Sequence, residues 1–164
     1  MNNTGRIISC DIHSHKTELI RKTAERLGIA NIEAVCCDAR ELCNMYSEAD
    51  KVLCDVPCSG FGVIGRKPEI RYKRKDEFGG LPALQKEILF SCAEMVKKGG
   101  TLIYSTCTLN KNENEAVCEE FLKVFSDFRI SDDDAYRSCT DRFLTVFPEK
   151  NGGDGFFIAK FIRG

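Results

Sequence analysis

Residues 6–38 read RIISCDIHSHKTELIRKTAERLGIANIEAVCCD, and this stretch decides the fold. Residues 6–10 form an apolar run of strand length that stops at Asp11. Within residues 16–27, Leu19, Ile20, Ala24 and Leu27 recur at helical spacing, and Gly28 closes the helix. Residues 32–37 make a second strand, which stops at Asp38. Strand, crossover helix and strand in this order are the unit from which parallel sheets are built.

The alternation continues downstream. A short helix over residues 40–46 leads to a strand over 51–56. After a long loop, Pro82 opens a helix with Leu84, Ile88, Leu89, Cys92, Met95 and Val96 inward, closed by Gly99 and Gly100. A strand over 101–105 follows. Asn110 and Glu113 read as a capping box for a helix reaching Phe125. Two last strands, 143–147 and 156–162, flank a turn-rich segment and are expected to form an antiparallel edge pair. The pattern predicts an α/β fold, a doubly wound sheet with right-handed crossovers, in a single domain over residues 1–164.

A chain of 164 residues is long enough for its own core. Apolar residues make up 43% and charged residues 30%, the balance of an ordinary globular protein. A net charge of −1 gives no global pull toward nucleic acid, so any such pull must be local. No apolar run approaches a membrane span, so no membrane partner is expected, and the first residues lack a basic-then-apolar leader pattern. Ten cysteines do not make a disulfide framework here. Cys10, Cys36, Cys54 and Cys92 fall in apolar runs, where a free thiol behaves as a small hydrophobe. There is no Cys-x-x-Cys, Pro57 lies between Cys54 and Cys58, and His13 and His15 have no cysteine at ligand spacing. No metal site is therefore expected. The chain reads as a reduced, cytoplasmic protein.

Two strand ends carry cysteines of a different kind. Asp55-Val56-Pro57-Cys58-Ser59-Gly60 follows Val52-Leu53-Cys54, and Ser105-Thr106-Cys107-Thr108 follows Thr101-Leu102-Ile103-Tyr104. Ligands of open α/β sheets bind beyond the carboxyl ends of the strands. Cys58, Cys107 and Asp55 are thus expected to share one active site with a sulfur nucleophile. Cys107 precedes the Asn110 helix, whose N-terminal N–H groups favour a thiolate. Cys58 precedes Gly60, where the backbone can approach a ligand closely. A buried structural thiol and a redox pair are the other readings of such cysteines. Asp11, Asp38 and Asp55 end three successive strands. Asp11 suits ribose hydroxyls and Asp38 an adenine amino group, although each alone also reads as a solvated loop carboxylate.

The loop after Cys58 contains IGRKPEIRYKRK, residues 64–75, with Arg66, Lys67, Arg71, Lys73, Arg74 and Lys75 against a single Glu69. Tyr72 lies within it and Phe61 just before it. A charge run is usually a solvated surface. Beside a candidate nucleophile, basic side chains interleaved with aromatics suit a phosphate-bearing substrate such as RNA.

DVPCSGFGVIGRKPEIRYKR, LIYSTCTLNKNENEAVCEEFL and the terminal GDGFFIAKF resemble the Sun/nucleolar-protein family of RNA cytosine-C5 methyltransferases. The resemblance runs from Gly5 to Ile162, and the proline-cysteine and threonine-cysteine motifs occurring in that order make it specific. It implies a Rossmann-like fold, S-adenosylmethionine as cofactor and RNA, ribosomal RNA above all, as partner. It further implies that Cys107 attacks C6 of a flipped-out cytosine, that Asp55 hydrogen-bonds N3, and that Cys58 helps release the product. Asp11, Asp38, Asp55 and Pro57 would line the cofactor; Arg66, Lys67, Arg71, Tyr72, Lys73 and Arg74 would meet RNA. The family's glycine-rich cofactor motif, with its strand and helix, would lie upstream of Arg6. The expected sheet therefore lacks its first, central strand, which an N-terminal segment or a second chain would supply. A non-catalytic RNA-binding remnant and a thiol redox protein with a reversible Cys58–Cys107 disulfide are the competing functions.

Overall fold

The structure, a computed structural model, describes residues 1–74, 78–132 and 142–164; Lys75 and Cys139 lie outside the described residues. The elements run β1 (Ile7–Asp11), α1 (Ser14–Arg26), β2 (Ile32–Cys36), a 3-10 turn (Ala39–Asn44) and β3 (Ala49–Asp55). Two further 3-10 turns, Phe61–Val63 and Pro68–Tyr72, shape the long loop before α2 (Leu81–Met95). Then come β4 (Val96–Thr106), α3 (Glu115–Val124), β5 (Phe128–Ile130), β6 (Leu144–Val146), α4 (Pro148–Asn151) and β7 (Phe156–Arg163). Leu27 caps α1 and Gly28 follows at φ +67°, the left-handed stop that the sequence indicates.

The strands form two sheets. β1 and β2 pair in parallel, from Ile7 opposite Ile32 to Asp11 opposite Cys36. β3 and β4 pair in parallel, from Lys51 opposite Thr101 to Asp55 opposite Ser105. β7 runs antiparallel along β4, with Thr106 opposite Phe157. The other edge of β7 takes β6 near its start and β5 near its end, giving the order β3-β4-β7-β5 with β6 beside β7. No pairing joins β1 to β3.

Three expectations change. The predicted edge pair of 143–147 and 156–162 does form, but β7 is interior because β4 occupies its other side. Gly99 and Gly100 do not end the helix; they sit inside β4, which begins directly after α2 at Val96. Gly99 has φ +74°, and a Cβ on Gly100 would lie 2.7 Å from the Lys97 carbonyl oxygen, so the pair bends the strand where its register with β3 shifts. The capping box also fails. The helix starts at Glu115 rather than after Asn110, with Asn114 at its N-cap, and Glu113 accepts from the Asn110 side chain rather than from its backbone N–H while also accepting from Ser59.

The core lies against β3, β4 and β7, where Tyr104, Phe121, Phe157, Phe161, Leu89 and Leu102 are fully buried. The Phe121 ring centroid is 4.9 Å from those of Phe125 and Phe161 and 5.2 Å from that of Phe128. The β1–β2 pair is less covered: all five β1 residues are half-buried, and Leu19 and Leu27 on α1 are 60% and 57% exposed. An apolar hollow of about 370 Å³ lies among Leu19, Ile20, Ala24, Ile29 and Ile32. This pair joins the core through the Ala39–Asn44 turn, where Leu42 is buried and Ser91 Oγ donates to the carbonyls of Ala39 (3.2 Å) and Arg40 (2.9 Å). Among the described residues no helix is long and apolar enough to cross a membrane.

Candidate active site

The parallel register of β3 and β4 sets Asp55 opposite Ser105, so the chain leaves both strands side by side. The Val56 N–H still donates to the Ser105 carbonyl at 3.3 Å, and Ser105 Oγ donates to Asp55 Oδ1 at 2.9 Å. Beyond these ends the loops converge, and Cys58 Sγ lies 3.1 Å from Cys107 Sγ. The two thiols and Asp55, expected from sequence to share a site, are brought to the ends of one strand pair.

Buried polar side chains fix the two loops. Ser59, Gln85, Thr106, Thr108, Glu113 and Asn114 are each 2% exposed or less. Glu113 accepts from the Ser59 N–H (2.9 Å), Gln85 Nε2 (3.0 Å) and Asn110 Nδ2 (2.8 Å). Gln85 Nε2 also donates to the Pro57 carbonyl at 2.9 Å. The hydroxyls of Ser59 and Thr108 meet at 2.8 Å, while Asn114 accepts from Thr106 Oγ1 (2.6 Å) and donates to the Thr108 carbonyl (2.9 Å). Burial of these groups is tolerated because nearly all are paired; Gln85 Oε1 alone in this network has no partner among the described residues.

A third segment closes on the same point. The Gly62 N–H donates to the Cys107 carbonyl (2.9 Å), and the Gly155 N–H donates to the Gly62 carbonyl (2.8 Å). A Cβ on Gly62 would come within 2.1 Å of the Gly155 oxygen, so only glycine allows this crossing. The terminal GDGFF stretch thereby holds the loop that begins at Cys58. Burial first, and then the hydrogen bond to Cys107, pushes the Cys58 thiol up to about 12. Cys58 accordingly keeps its proton at neutral pH.

The basic loop is pinned beneath and open above. Ile70 is buried against Gly60, and Arg66 pairs with Asp154. Lys67, Arg71, Tyr72, Lys73 and Arg74 are exposed, Tyr72 to 87%. They share the loop with Cys58.

Asp11 ends β1, and Asp38 follows β2. Asp11 Oδ1 accepts the His13 N–H (2.9 Å), and Oδ2 lies 3.4 Å from Lys16 Nζ. Partial burial alone would raise its pKa, but these two contacts together hold it below the usual carboxylate range. Asp38 is more fully engaged: both oxygens meet the Arg40 guanidinium at 2.6–3.1 Å, and Oδ1 caps the following turn through the Arg40 N–H (2.9 Å). Arg40, bridged also to Glu87 (2.7 Å), lowers the Asp38 pKa. For a nucleoside cofactor, Asp11 offers one oxygen on the His13 N–H and one paired with Lys16, each with acceptor capacity left for a ribose diol. Asp38 fits an adenine amine only if Arg40 yields a site on it. Pro57 has its carbonyl taken by Gln85 but presents an exposed ring.

Sequence reading missed Gln85, Asn114, Gly62 and Gly155, and read Glu113 only as a cap. One signal was available: Gln85 lies four and seven residues before Leu89 and Cys92, on the inward stripe of α2, where a polar residue demands a buried partner.

Residues 1–162 match the family described as 16S rRNA methyltransferase RsmB/F. A probable ribosomal RNA small subunit methyltransferase B of Bacillus subtilis is 40% identical over 96% of this chain, and a ribosomal RNA small subunit methyltransferase F of Shewanella amazonensis is 33% identical over 98%. The chain spans only 38% and 36% of these relatives. NSun6 from Pyrococcus horikoshii, solved with SFG, superposes over 98% of this chain and 42% of its own, with a TM-score of 0.86 and 28% identity. A methyltransferase homolog protein from the same organism superposes over all of this chain and 55% of its own, with a TM-score of 0.84 and 28% identity. A family match over nearly every residue, with both cysteine loops meeting at one sheet edge, leads to one conclusion: the chain belongs to the 16S rRNA methyltransferase RsmB/F family.

Proposed function

We propose that this chain carries the chemistry of an S-adenosylmethionine-dependent RNA cytosine-C5 methyltransferase acting on ribosomal RNA. The observation that supports it most is the 3.1 Å approach of Cys58 and Cys107 at the ends of two adjoining parallel strands. A base must leave its stack to be reached, and the electron-poor ring of cytosine needs covalent activation before C5 reacts. Cys107 adds through its sulfur to C6, and Asp55 hydrogen-bonds N3 as charge develops on the ring. Cys58, which retains its proton, does not compete as nucleophile. As the adduct breaks, a solvent base takes the C5 proton, the C6–sulfur bond opens, and the Cys58 S–H, 3.1 Å from Cys107 Sγ, hydrogen-bonds the departing thiolate. S-adenosylmethionine supplies the methyl group when bound. Asp11 would hold its ribose, with Asp38, Asp55 and Pro57 completing the pocket wall. Lys67, Arg71, Tyr72, Lys73, Arg74 and, with its Asp154 pair opened, Arg66 would meet the RNA backbone and an unstacked base. The outer edge of β3, unpaired among the described residues and with Leu53 69% exposed, suits a further strand from another segment or a second chain.

The test uses ribosomal RNA, S-adenosylmethionine and denaturing gels. Cys58→Ala is expected to accumulate a covalent RNA adduct and Cys107→Ala to form none; the opposite pattern would reverse the roles. Calorimetric titration with S-adenosylmethionine comes first, since absence of binding would leave the chemistry of this chain dependent on a further segment. The same thiol contact also suits a redox protein. That reading requires the Cys58–Cys107 disulfide to cycle in oxidised samples without any RNA-dependent adduct.

A further inference from the structure

Glu113 belongs to neither cysteine motif, yet its carboxylate ties both together. It is 1% exposed, and its three partners are all neutral N–H donors. The Ser59 N–H and Gln85 Nε2 share Oε2, and Gln85 Nε2 reaches on to the Pro57 carbonyl. The peptide groups on both sides of Cys58 are therefore fixed through one carboxylate. On its other side, Oε1 accepts from Asn110, whose N–H donates to Thr108 Oγ1 at 3.2 Å, immediately after Cys107. The Glu113 backbone carbonyl also accepts the Tyr104 hydroxyl at 2.6 Å, which anchors the residue to β4. A carboxylate accepts at both oxygens, whereas an amide turns one acceptor into a donor. An unmade bond to a buried group costs its desolvation, so losing one Glu113 acceptor strands a buried donor and loosens the tie between the two loops.

We propose that Glu113 is the positioning residue of the thiol pair, its carboxylate setting how closely Cys58 approaches Cys107. The catalytic meaning of this rests on the proposed roles of the two cysteines, but the positional claim is testable on the thiols alone. The 164-residue chain is equilibrated with mixtures of reduced and oxidised glutathione, and the Cys58–Cys107 cross-linked peptide is quantified by mass spectrometry. In that exchange two protein thiols are oxidised to one disulfide while one glutathione disulfide is reduced to two thiols.

Glu113→Gln is expected to lower the equilibrium constant for this disulfide about tenfold, or about 30 mV for a two-electron couple, with the circular dichroism unchanged. If Glu113→Gln does not fold, Gln85→Met, which removes the donor to Pro57 and to Glu113, is expected to lower it by a smaller factor. A wild-type equilibrium constant in a folded variant overturns the proposal. A shifted constant together with adduct formation by Cys107→Ala would uphold the positioning role and sink the assigned chemistry, so the two failures are distinguishable.

Discussion

Cys58 is the group whose titration tests the site most directly. Its thiol is raised from an ordinary 9.0 to about 12, first by burial and then by the contact with Cys107. At about pH 8, a shift of that size leaves about a thousandfold less thiolate than an ordinary thiol would have. A more basic thiolate is also more nucleophilic, and a Brønsted slope of about 0.45 returns about 25-fold. Cys58 should therefore alkylate about 40-fold more slowly than an ordinary thiol, before any steric hindrance. Steric hindrance is removed from the comparison by following the pH profile rather than one rate. Iodoacetamide labelling, resolved by residue with mass spectrometry, should keep rising about tenfold per pH unit past about pH 10 at Cys58. Cys107→Ala should speed Cys58 labelling only in part, because burial is the larger cause. The stability sign follows: between about pH 9 and about pH 12 the folded chain holds a proton that the unfolded chain has lost, so this stabilisation fades as pH rises through that window. A Cys58 labelling rate that levels off near pH 9 would refute the reasoning.

Gly62→Ala forces a Cβ against the Gly155 and Cys107 carbonyls and should cost about 1–3 kcal/mol, whereas Gly65→Ala, with nothing within 4 Å, should leave the melting temperature unchanged. Equal melting of the two variants would show that the Gly62–Gly155 crossing does not hold the loop. Replacing Lys67, Arg71 and Lys73 together by Ala should flatten the salt dependence of RNA binding by about 2 in the log–log slope, at about 0.7 per cation for single strands, and an unchanged slope would remove this loop from the RNA path. Arg40→Ala should raise the Asp38 pKa toward the ordinary carboxylate value, since the guanidinium is the first cause of its depression. Stability that the wild type holds above the ordinary carboxylate pKa and loses as pH falls through the depressed value should then be missing, visible as a flatter acid side of melting temperature against pH.

The fold was legible where a single period governs a segment. Residues 6–38 gave their strands and helix because alternating runs and a helical stripe end in recognisable stops, Asp11, Gly28 and Asp38. Gly99 and Gly100 were misread because a glycine pair after an apolar helix signals a stop, and only strand pairing reveals a bulge instead. β5 escaped because three residues, Phe128–Ile130, carry too little pattern without β7 beside them. The cysteines and Asp55 were found because strand ends are readable and thiols there are conspicuous. The network that holds them was not, because it joins α2, the loop before α3 and the Cys58 loop across 28 to 54 residues of sequence. Nothing local in Glu113 distinguishes a cap from a buried tie.

The two halves of the proposed site rest on unequal foundations. The thiol loops hang from β3 and β4, whose strands bury Cys54, Leu102 and Tyr104, and they are cross-tied by buried polar groups and by Gly155 from the far end of the chain. Asp11 ends β1 and Asp38 follows β2, a separate pair with half-covered residues that meets the core through Cys10, Cys37 and the turn seated on α2. Local opening free energy follows buried contact, so the carboxylates should sample open states more often than the thiols do. A group that bridged Asp11 to the Asp55–Pro57 loop would gain its own contacts and also pin the looser half to the rigid one. Ligand binding that favours the closed arrangement stabilises it by mass action. The proposed cofactor would then act as a structural tie between the sheets as well as a methyl source, with Arg40, already bonded to Asp38 and to Glu87 on α2, as the strut that keeps the two sheets in reach of each other before it binds.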